Sequence, residues 1–531
     1  MSCMDRLYAC PSDTSFHHKT GVSHFWNAHI HQTIGVLTDW VQVKIMLIFP
    51  RRCLLLTQTS PTASPPDTDM DTEHLDVLDA HVRDALAIPL YRQMRHSTMN
   101  TLCYLFYHMR CGLYVMIRNN AVQMFVPFCN TFYRNTWVNT SFKHGDRHSY
   151  YHTKPEKENV IPDVDEWWSN GGLVCNVRQR AIWGDHYLAN LRHMLESVCA
   201  HQRVANAEFF LNKRDWPQLR VDGRDPCPQF FPPGSDALRS ERFDTHCPIF
   251  SFYTREGYAD VGFPTPYDWK MGTREKSTFG YHAVPWEDRV PTAIFRGSAS
   301  GSGVTIESNQ RLHAAYLSHC WGVHGHKYSK LNLLNDGYAY MNAGLTSWNL
   351  RDKKHAAGGH VAYICTASLP FDLKSYMSFS TQCRFKYMLY IDGHCSASRY
   401  SEMMVSGCVI LRVSSPNAHW FTPLLRAGAD HLAVKEDLSD LAEVIHWCKT
   451  HDAECARIAR CAYTLARSIF CRDSMERYCA MAFNRVAGAQ SSVDTQVDVD
   501  YTPRHSGYPL PTTDHTQCTR SALAYVRSRF G

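Results

Sequence analysis

No two cysteines stand in Cys-x-x-Cys spacing, although 21 of the 531 residues are cysteine. Zinc ribbons and thioredoxin-type redox motifs depend on that spacing, so both drop out. The odd count also forbids complete internal pairing and leaves two readings open: a reduced chain with buried thiols, or a secretory chain with a few disulfides. No apolar run approaches the ~20 residues that span a bilayer. The most apolar early stretch, Ile45 to Phe49, is cut by Pro50, Arg51 and Arg52 before Leu54 to Leu56, and sits oddly far along the chain for a signal region. The formal charge is only +5 and no Lys/Arg run marks a nucleic-acid surface. A Walker loop, a Gly-x-Gly-x-x-Gly fingerprint, the Gly-x-Ser-x-Gly elbow of hydrolases and internal repeats are missing too. What is present is an ordinary core-forming composition, 44% hydrophobic and 20% charged, at a length that suits two or three domains.

Residues 1–57 show no sustained periodicity and read as an N-terminal extension. Residues 58–73, rich in Ser, Thr, Pro and Asp, read as a linker, and 488–531 as a loose tail. Between them a mixed helix and strand region, 74–290, is followed by a second α/β unit, 291–487, with turn-rich sequence from Pro264 to Pro285 at the junction. In the first unit, Leu188, Leu191 and Leu195 recur at helical spacing after Asp185, and Ala207 to Leu211 reads as a short strand. In the second, a strand from Ala293 to Phe295 leads into Arg296-Gly-Ser-Ala-Ser-Gly-Ser-Gly303, then a helix with Leu312, Ala315, Tyr316 and His319 on one face. Phe385 to Ile391 is a second strand, broken at Asp392-Gly393 and closing on Arg399; a short helix and the apolar run Cys408 to Val413 follow. Asp437 to Asp440 caps a helix that buries Leu441, Val444, Ile445 and Cys448.

Loops at the carboxyl ends of parallel strands are where α/β proteins bind ligands, and an Arg there suits a diphosphate. The Arg296–Gly303 loop has two readings, a flexible turn or an anion cradle at a helix start. Asp215 follows a strand and neighbours Arg214, Trp216 and Pro217; it is either a general base or a surface acid paired with Arg214. Three Asp-x-Asp triplets (Asp67/Asp69, Asp163/Asp165, Asp498/Asp500) lack the strand context of a metal–diphosphate site, so no metal is expected. His446, Cys448, His451 and Cys455 do not share one helical face and read as core and surface positions rather than zinc ligands. Asn139-Thr140-Ser141 is a glycosylation sequon, meaningful only in a secreted chain.

Phe209-Phe-Leu-Asn-Lys-Arg-Asp-Trp-Pro-Gln218, Phe295-Arg-Gly-Ser298, Phe385-Lys-Tyr387 with Gly393 and Arg399, and Val434-Lys-Glu-Asp-Leu-Ser-Asp440, in that order and spacing, resemble glycosyltransferase family 90. That family holds the fungal capsule-associated xylosyltransferases and the animal protein O-glucosyltransferases, and the resemblance runs from about Tyr91 to Ala480. It implies an α/β fold of GT-B type: paired Rossmann-like domains with the active site in the cleft between them. The implied reaction is inverting transfer of glucose or xylose from a UDP-sugar to a hydroxyl of a protein or glycan, with no cofactor and no obligatory metal. Asp215 would be the base, with Trp216 on the acceptor side. Arg296, Ser298 and Ser300 would form one donor loop and Gly393 and Arg399 the other, with Arg311 in support. The resemblance also implies the secretory pathway, yet no signal peptide or retrieval tail is evident; Ser528-Arg-Phe-Gly531 is not a retrieval tetrapeptide. The first donor loop, Ser-Ala-Ser-Gly-Ser-Gly, is less charged than in animal members, and Trp216 replaces the commoner Tyr or Phe. Two rival readings are a catalytically inactive sugar- or nucleotide-binding relative and a secreted structural or interaction protein.

Overall fold

The computed structural model describes residues 72–91, 97–109, 111–129, 185–212, 215–222, 245–273, 284–301, 303–323, 337–348 and 364–490. The extension 1–57, nearly all of the linker 58–73, the three Asp-x-Asp triplets, the Asn139 sequon, Arg214 and the tail beyond Gln490 lie outside those residues.

The first half contains α1 (Thr72–Leu86), α2 (Ser97–Cys103), β1 (Cys111–Arg118), β2 (Ala121–Cys129), α3 (Asp185–His201), β3 (Ala207–Asn212), β4 (Ile249–Ser251), β5 (Thr254–Arg255), β6 (Val261–Gly262) and α4 (Pro266–Thr273). Five of its strands form a sheet of order β2-β1-β3-β4-β6. β3, β4 and β6 are parallel, whereas β1 runs antiparallel to both β2 and β3. This half is therefore a mixed sheet with a hairpin on its edge rather than a wholly parallel one. The hairpin turns at Asn119 and Asn120, with φ of 52° and 59°. Two consecutive residues in the left-handed region make the turn whose twist matches the flanking strands, and Asn tolerates that region. The tip is pinned: Asn120 Oδ1 accepts from the Val204 amide (2.7 Å) and its Nδ2 donates to the Cys199 carbonyl (2.6 Å). The turn-rich junction also holds a helix. Pro266 occupies the first position of α4, and Thr265 and Asp268 cap it reciprocally through two 3.0 Å bonds.

The second half contains β7 (Val290–Ser298), α5 (Gln310–Val323), β8 (Met341–Ser347), α6 (Phe379–Gln382), β9 (Phe385–Tyr390), α7 (Tyr400–Met404), β10 (Val409–Val413), β11 (Asn417–Ala418), β12 (Leu432–Val434), α8 (Leu441–Thr450), α9 (Asp452–Ile469) and α10 (Arg472–Gln490). Its five-stranded sheet has the order β12-β10-β9-β7-β8, with every pairing parallel. A parallel sheet must be covered on both faces. Alternate residues divide accordingly: Phe295, Tyr387, Leu389, Val409 and Leu411 enter one core, and Ile294, Met388, Tyr390 and Ile410 another that is continuous with the first sheet. Asp440 stands at the N-cap position of α8, but its carboxylate accepts from the Lys435 amide (2.9 Å), not from an amide of the helix.

The last helix crosses back. α10 lies on the first sheet, where the Phe483 ring stacks on Phe209 with centroids 4.6 Å apart. Gln490 Oε1 accepts from the Glu208 amide (3.0 Å) and its Nε2 donates to the Glu208 carbonyl (2.7 Å). Arg485 reaches α1 through a fork on Asp79 at 2.6 and 2.7 Å. The helix thus extends three residues into the stretch that reads as tail, and it serves the sheet opposite to the one that precedes it in sequence.

Among the described residues Cys199, Cys247, Cys320, Cys383, Cys395, Cys408, Cys448, Cys455 and Cys479 are buried free thiols. His446 Nδ1 pairs with the Tyr340 hydroxyl (2.8 Å) and His451 stacks on Trp447, so each has a structural partner. No helix among the described residues is long and apolar enough to cross a membrane. Replacing Phe483 by Ala empties a site lined by Phe209, Phe250 and Phe263. The expected cost is about 3–5 kcal/mol, read from the urea midpoint; a loss under about 1 kcal/mol contradicts the assignment of α10 as the first sheet's cover.

Candidate active site at the carboxyl ends of the parallel strands

Counted within its own half, the second sheet has the order 2-1-3-4-5, and the order reverses between β7 and β9. The chain leaves these adjacent strands in opposite directions, which opens a crevice at their carboxyl ends. Both loops there are built closely. After β7, Gly301 adopts φ +109°, and a Cβ on Gly303 would lie 2.0 Å from the Ser308 carbonyl oxygen. Asn309 closes the loop with both ends of its amide. Its Nδ2 donates to the Ser300 and Gly303 carbonyls (3.2 and 2.9 Å), and its Oδ1 accepts from the first-turn amides of Arg311 and Leu312 (3.0 and 3.2 Å). After β9, Asp392 Oδ1 accepts from the Ala397 amide (3.1 Å), and the Gly393 amide donates to the Cys395 carbonyl (2.9 Å). The two loops touch: a Cβ on Gly393 would stand 2.8 Å from Ser300 Oγ.

Two guanidinium groups sit beneath them, Arg311 buried and Arg399 half-buried. Arg311 donates from Nε to the Asp392 carbonyl (2.9 Å), from one Nη to the Ser298 carbonyl (3.1 Å) and from the other to the Ile391 carbonyl (2.9 Å). Arg399 donates to the Arg296 carbonyl (2.5 Å), and both cations flank the Phe295 ring at 5.7 and 5.9 Å. Burial, reinforced by the neighbouring Arg399, pushes Arg311 down to about 10. Burial likewise lowers Arg399. Neither has a carboxylate ion-pair partner among the described residues.

A cleft of about 730 Å³ opens over the loops, lined among others by Ser300, Gly303, Gly393, Asp437 and, from the first half, Trp216 and Arg255. The strap carrying Trp216 is held from inside. Asn212 Nδ2 donates to the Trp216 carbonyl (2.8 Å), and Asp260 accepts from the amides of Gln218 and Leu219 (2.8 and 2.9 Å). Burial raises Asp260 to about 6 despite those donors. Asp215 is half-buried beside Trp216, and its charge acts on the buried Tyr253 and Cys395, the latter in the loop after β9.

The profile of glycosyl transferase family 90 matches residues 175–498, which spans both loops and the strap. The chain belongs to that family. Among its relatives, Uncharacterized protein 179R of Invertebrate iridescent virus 6 is 32% identical over 73% of this chain and 37% of that protein. Protein O-glucosyltransferase 2 of Danio rerio is 25% identical over 56% of this chain and 50% of its own length. Protein O-glucosyltransferase 3 of Homo sapiens is 24% identical over 56% and 50%. The chain thus spans half or less of the length of these relatives. Among solved structures, Anabaena Alr3699/HepE in complex with UDP-glucose is 13% identical, covering 46% of this chain and 57% of that one. Its TM-score of 0.25 is too low to bear on the fold.

Of the residues that the family resemblance singles out, the structure brings Ser300, Gly393 and Trp216 to the cleft wall, and Arg311 and Arg399 to the ground beneath it. Arg296 goes elsewhere. β7 continues through Ser298, so strand geometry fixes the direction of the Arg296 side chain. Its guanidinium donates to the Asn342 carbonyl and side chain on β8 (2.7 and 3.0 Å) and is absent from the cleft lining, while its own carbonyl receives Arg399. Ser298 contributes its carbonyl, to Arg311. Unforeseen from sequence are Asn309, Arg255 and Asn417. Asn309 had a readable signal, since it directly precedes the helical pattern; the other two meet only through the paired short strands β5 and β11.

His419 supports the second loop through the Tyr390 hydroxyl (3.1 Å), and burial lowers it from 6.5 to about 4. The fold therefore favours the neutral ring. Its contribution is present above pH 6.5 and lost as pH falls towards 4. Replacing His419 by Phe is expected to flatten the urea midpoint between those two pH values. An unchanged slope contradicts the assignment.

Proposed function

We propose that the chain transfers glucose or xylose from a UDP-sugar to a hydroxyl of a protein or glycan, with inversion at the anomeric carbon. One observation carries the reading: the loops after β7 and β9 meet at the strand-order reversal and share a cleft with Trp216, the chain neighbour of Asp215. Family membership supports sugar transfer, and relatives named protein O-glucosyltransferases favour glucose as the sugar moved. The two halves act as acceptor-side and donor-side domains of a GT-B arrangement, near 74–290 and 291–487.

Asp215 takes the acceptor hydroxyl proton as the oxygen attacks the anomeric carbon. The carbon–oxygen bond to the diphosphate breaks on the opposite face, and its electron pair leaves with UDP. Negative charge then grows on the diphosphate. Arg311 and Arg399 supply fixed positive charge beneath the loops, in a dry setting that strengthens the attraction. Gly297 and Gly393 leave room for it: a Cβ at either position would come within 3.5 Å of those guanidinium groups. Transfer in this reading needs no divalent cation. Trp216 offers an aromatic wall on the acceptor side, and the sugar ring is read by cleft shape.

A UDP-release assay over a panel of UDP-sugars tests the proposal. Release is expected to survive EDTA and to prefer one sugar. In Asp215→Asn it is expected to fall about 100- to 10,000-fold with UDP affinity retained. Metal-dependent release, or an active Asp215→Asn, contradicts it. Gly393→Ala pushes against Ser300 Oγ and is expected to weaken UDP binding by about tenfold, measured by calorimetry.

A further inference from the structure

We infer that Arg255 is a positioning residue that sets Asp215 against the donor loop, an inference that rests on the reading of Asp215 as the base. Three cleft-lining side chains from distant parts of the sequence form one line. The Arg255 guanidinium lies 5.0 Å from the Trp216 ring centroid. One of its Nη atoms donates to Asn417 Oδ1 (2.8 Å), and Asn417 Nδ2 donates to Asp392 Oδ2 (3.2 Å). The two ends of a single amide therefore connect the strap beside the base to the loop after β9.

The backbone is built around the same line. β5 and β11 pair antiparallel with Arg255 opposite Asn417, and the Glu256 amide donates to the Pro416 carbonyl (3.0 Å). Trp216 is gripped on its other edge, where its indole N–H donates to the Tyr258 hydroxyl (2.9 Å). Tyr258 returns to the Arg255 carbonyl through its own amide (3.0 Å). Arg255 has no ion-pair partner among the described residues, so the aromatic ring and the amide are what orient it. A planar, rigid fork can lie on an indole and address an amide together, which a lysine ammonium cannot. Asp215 directly precedes the gripped Trp216. A displacement of about 1 Å in a reacting group costs on the order of a hundredfold in rate.

The test compares Arg255→Met, Arg255→Lys, Asn417→Ala and the Arg255→Met/Asn417→Ala double variant by kcat, by UDP affinity in calorimetry and by amide hydrogen exchange of residues 216–220. Arg255→Met is expected to lower kcat about a hundredfold and Asn417→Ala about tenfold, the double variant matching Arg255→Met because both act through one line. UDP affinity is expected to stay within about twofold throughout, since Arg255 and Asn417 stand on β5 and β11, outside the two donor loops. Exchange at 216–220 accelerates in each variant, and Lys fails to restore kcat. Unchanged kcat overturns the inference, as does UDP affinity falling in step with kcat, which would make Arg255 a donor ligand. If the unaltered protein transfers from no UDP-sugar, the proposed function fails. The exchange data then still decide whether Arg255 holds the strap.

Discussion

The guanidinium of Arg311 holds the carbonyl ends of two neighbouring parallel strands, and the site is arranged around that hold. Where the strand order reverses, the carbonyls of Ser298, Ile391 and Asp392 all accept from this guanidinium. Arg311 serves all three from one planar fork. It comes from the first turn of α5, whose position is in turn set by Asn309, the residue that also closes the glycine loop. One asparagine and one arginine thus make the loop, the helix start and the strand ends a single object. A cation used this way is desolvated and fixed, which is what stabilising a departing anion requires.

The opposite wall follows the same economy with reversed charge. Asp260 is buried and accepts from Ser251 and from two strap amides, and Asn212 takes the Trp216 carbonyl. The strap is irregular backbone, yet its polar groups are matched by side chains of the strands behind it. α10 completes the wall from outside, because Phe483 and Gln490 press on the strand that delivers the strap. The last described element in sequence therefore steadies the strand that leads into the strap.

Much of this was legible from residue order. Phe385 to Ile391 reads as a strand because an apolar run of strand length ends at Asp392-Gly393, and Cys408 to Val413 because such a run follows Gly407; both hold strands. The helix after Asp185 was readable from leucine spacing and extends to His201. Asp215, by contrast, is ambiguous on its own chemistry, and the proposal that it is the base rests on the family pattern around it. Local cues misled in two places. The stretch from Pro264 to Pro285 reads as turn-rich but holds a helix that Pro266 begins, since a first-turn proline loses no hydrogen bond. Arg296 looks like a loop residue but belongs to a strand, which turns its side chain towards β8. Arg255 and Asn417 are 162 positions apart and meet through strands of two residues each, a pairing that no periodicity announces.

The central claim is that the nucleotide binds where the strand order reverses. A crystal structure of the protein with UDP tests it most directly. The account predicts the diphosphate over Ser300, Gly301 and Gly393, with Arg311 and Arg399 beneath it and the open side facing Trp216. UDP lodged against another part of the second sheet, or on the first sheet alone, would contradict it.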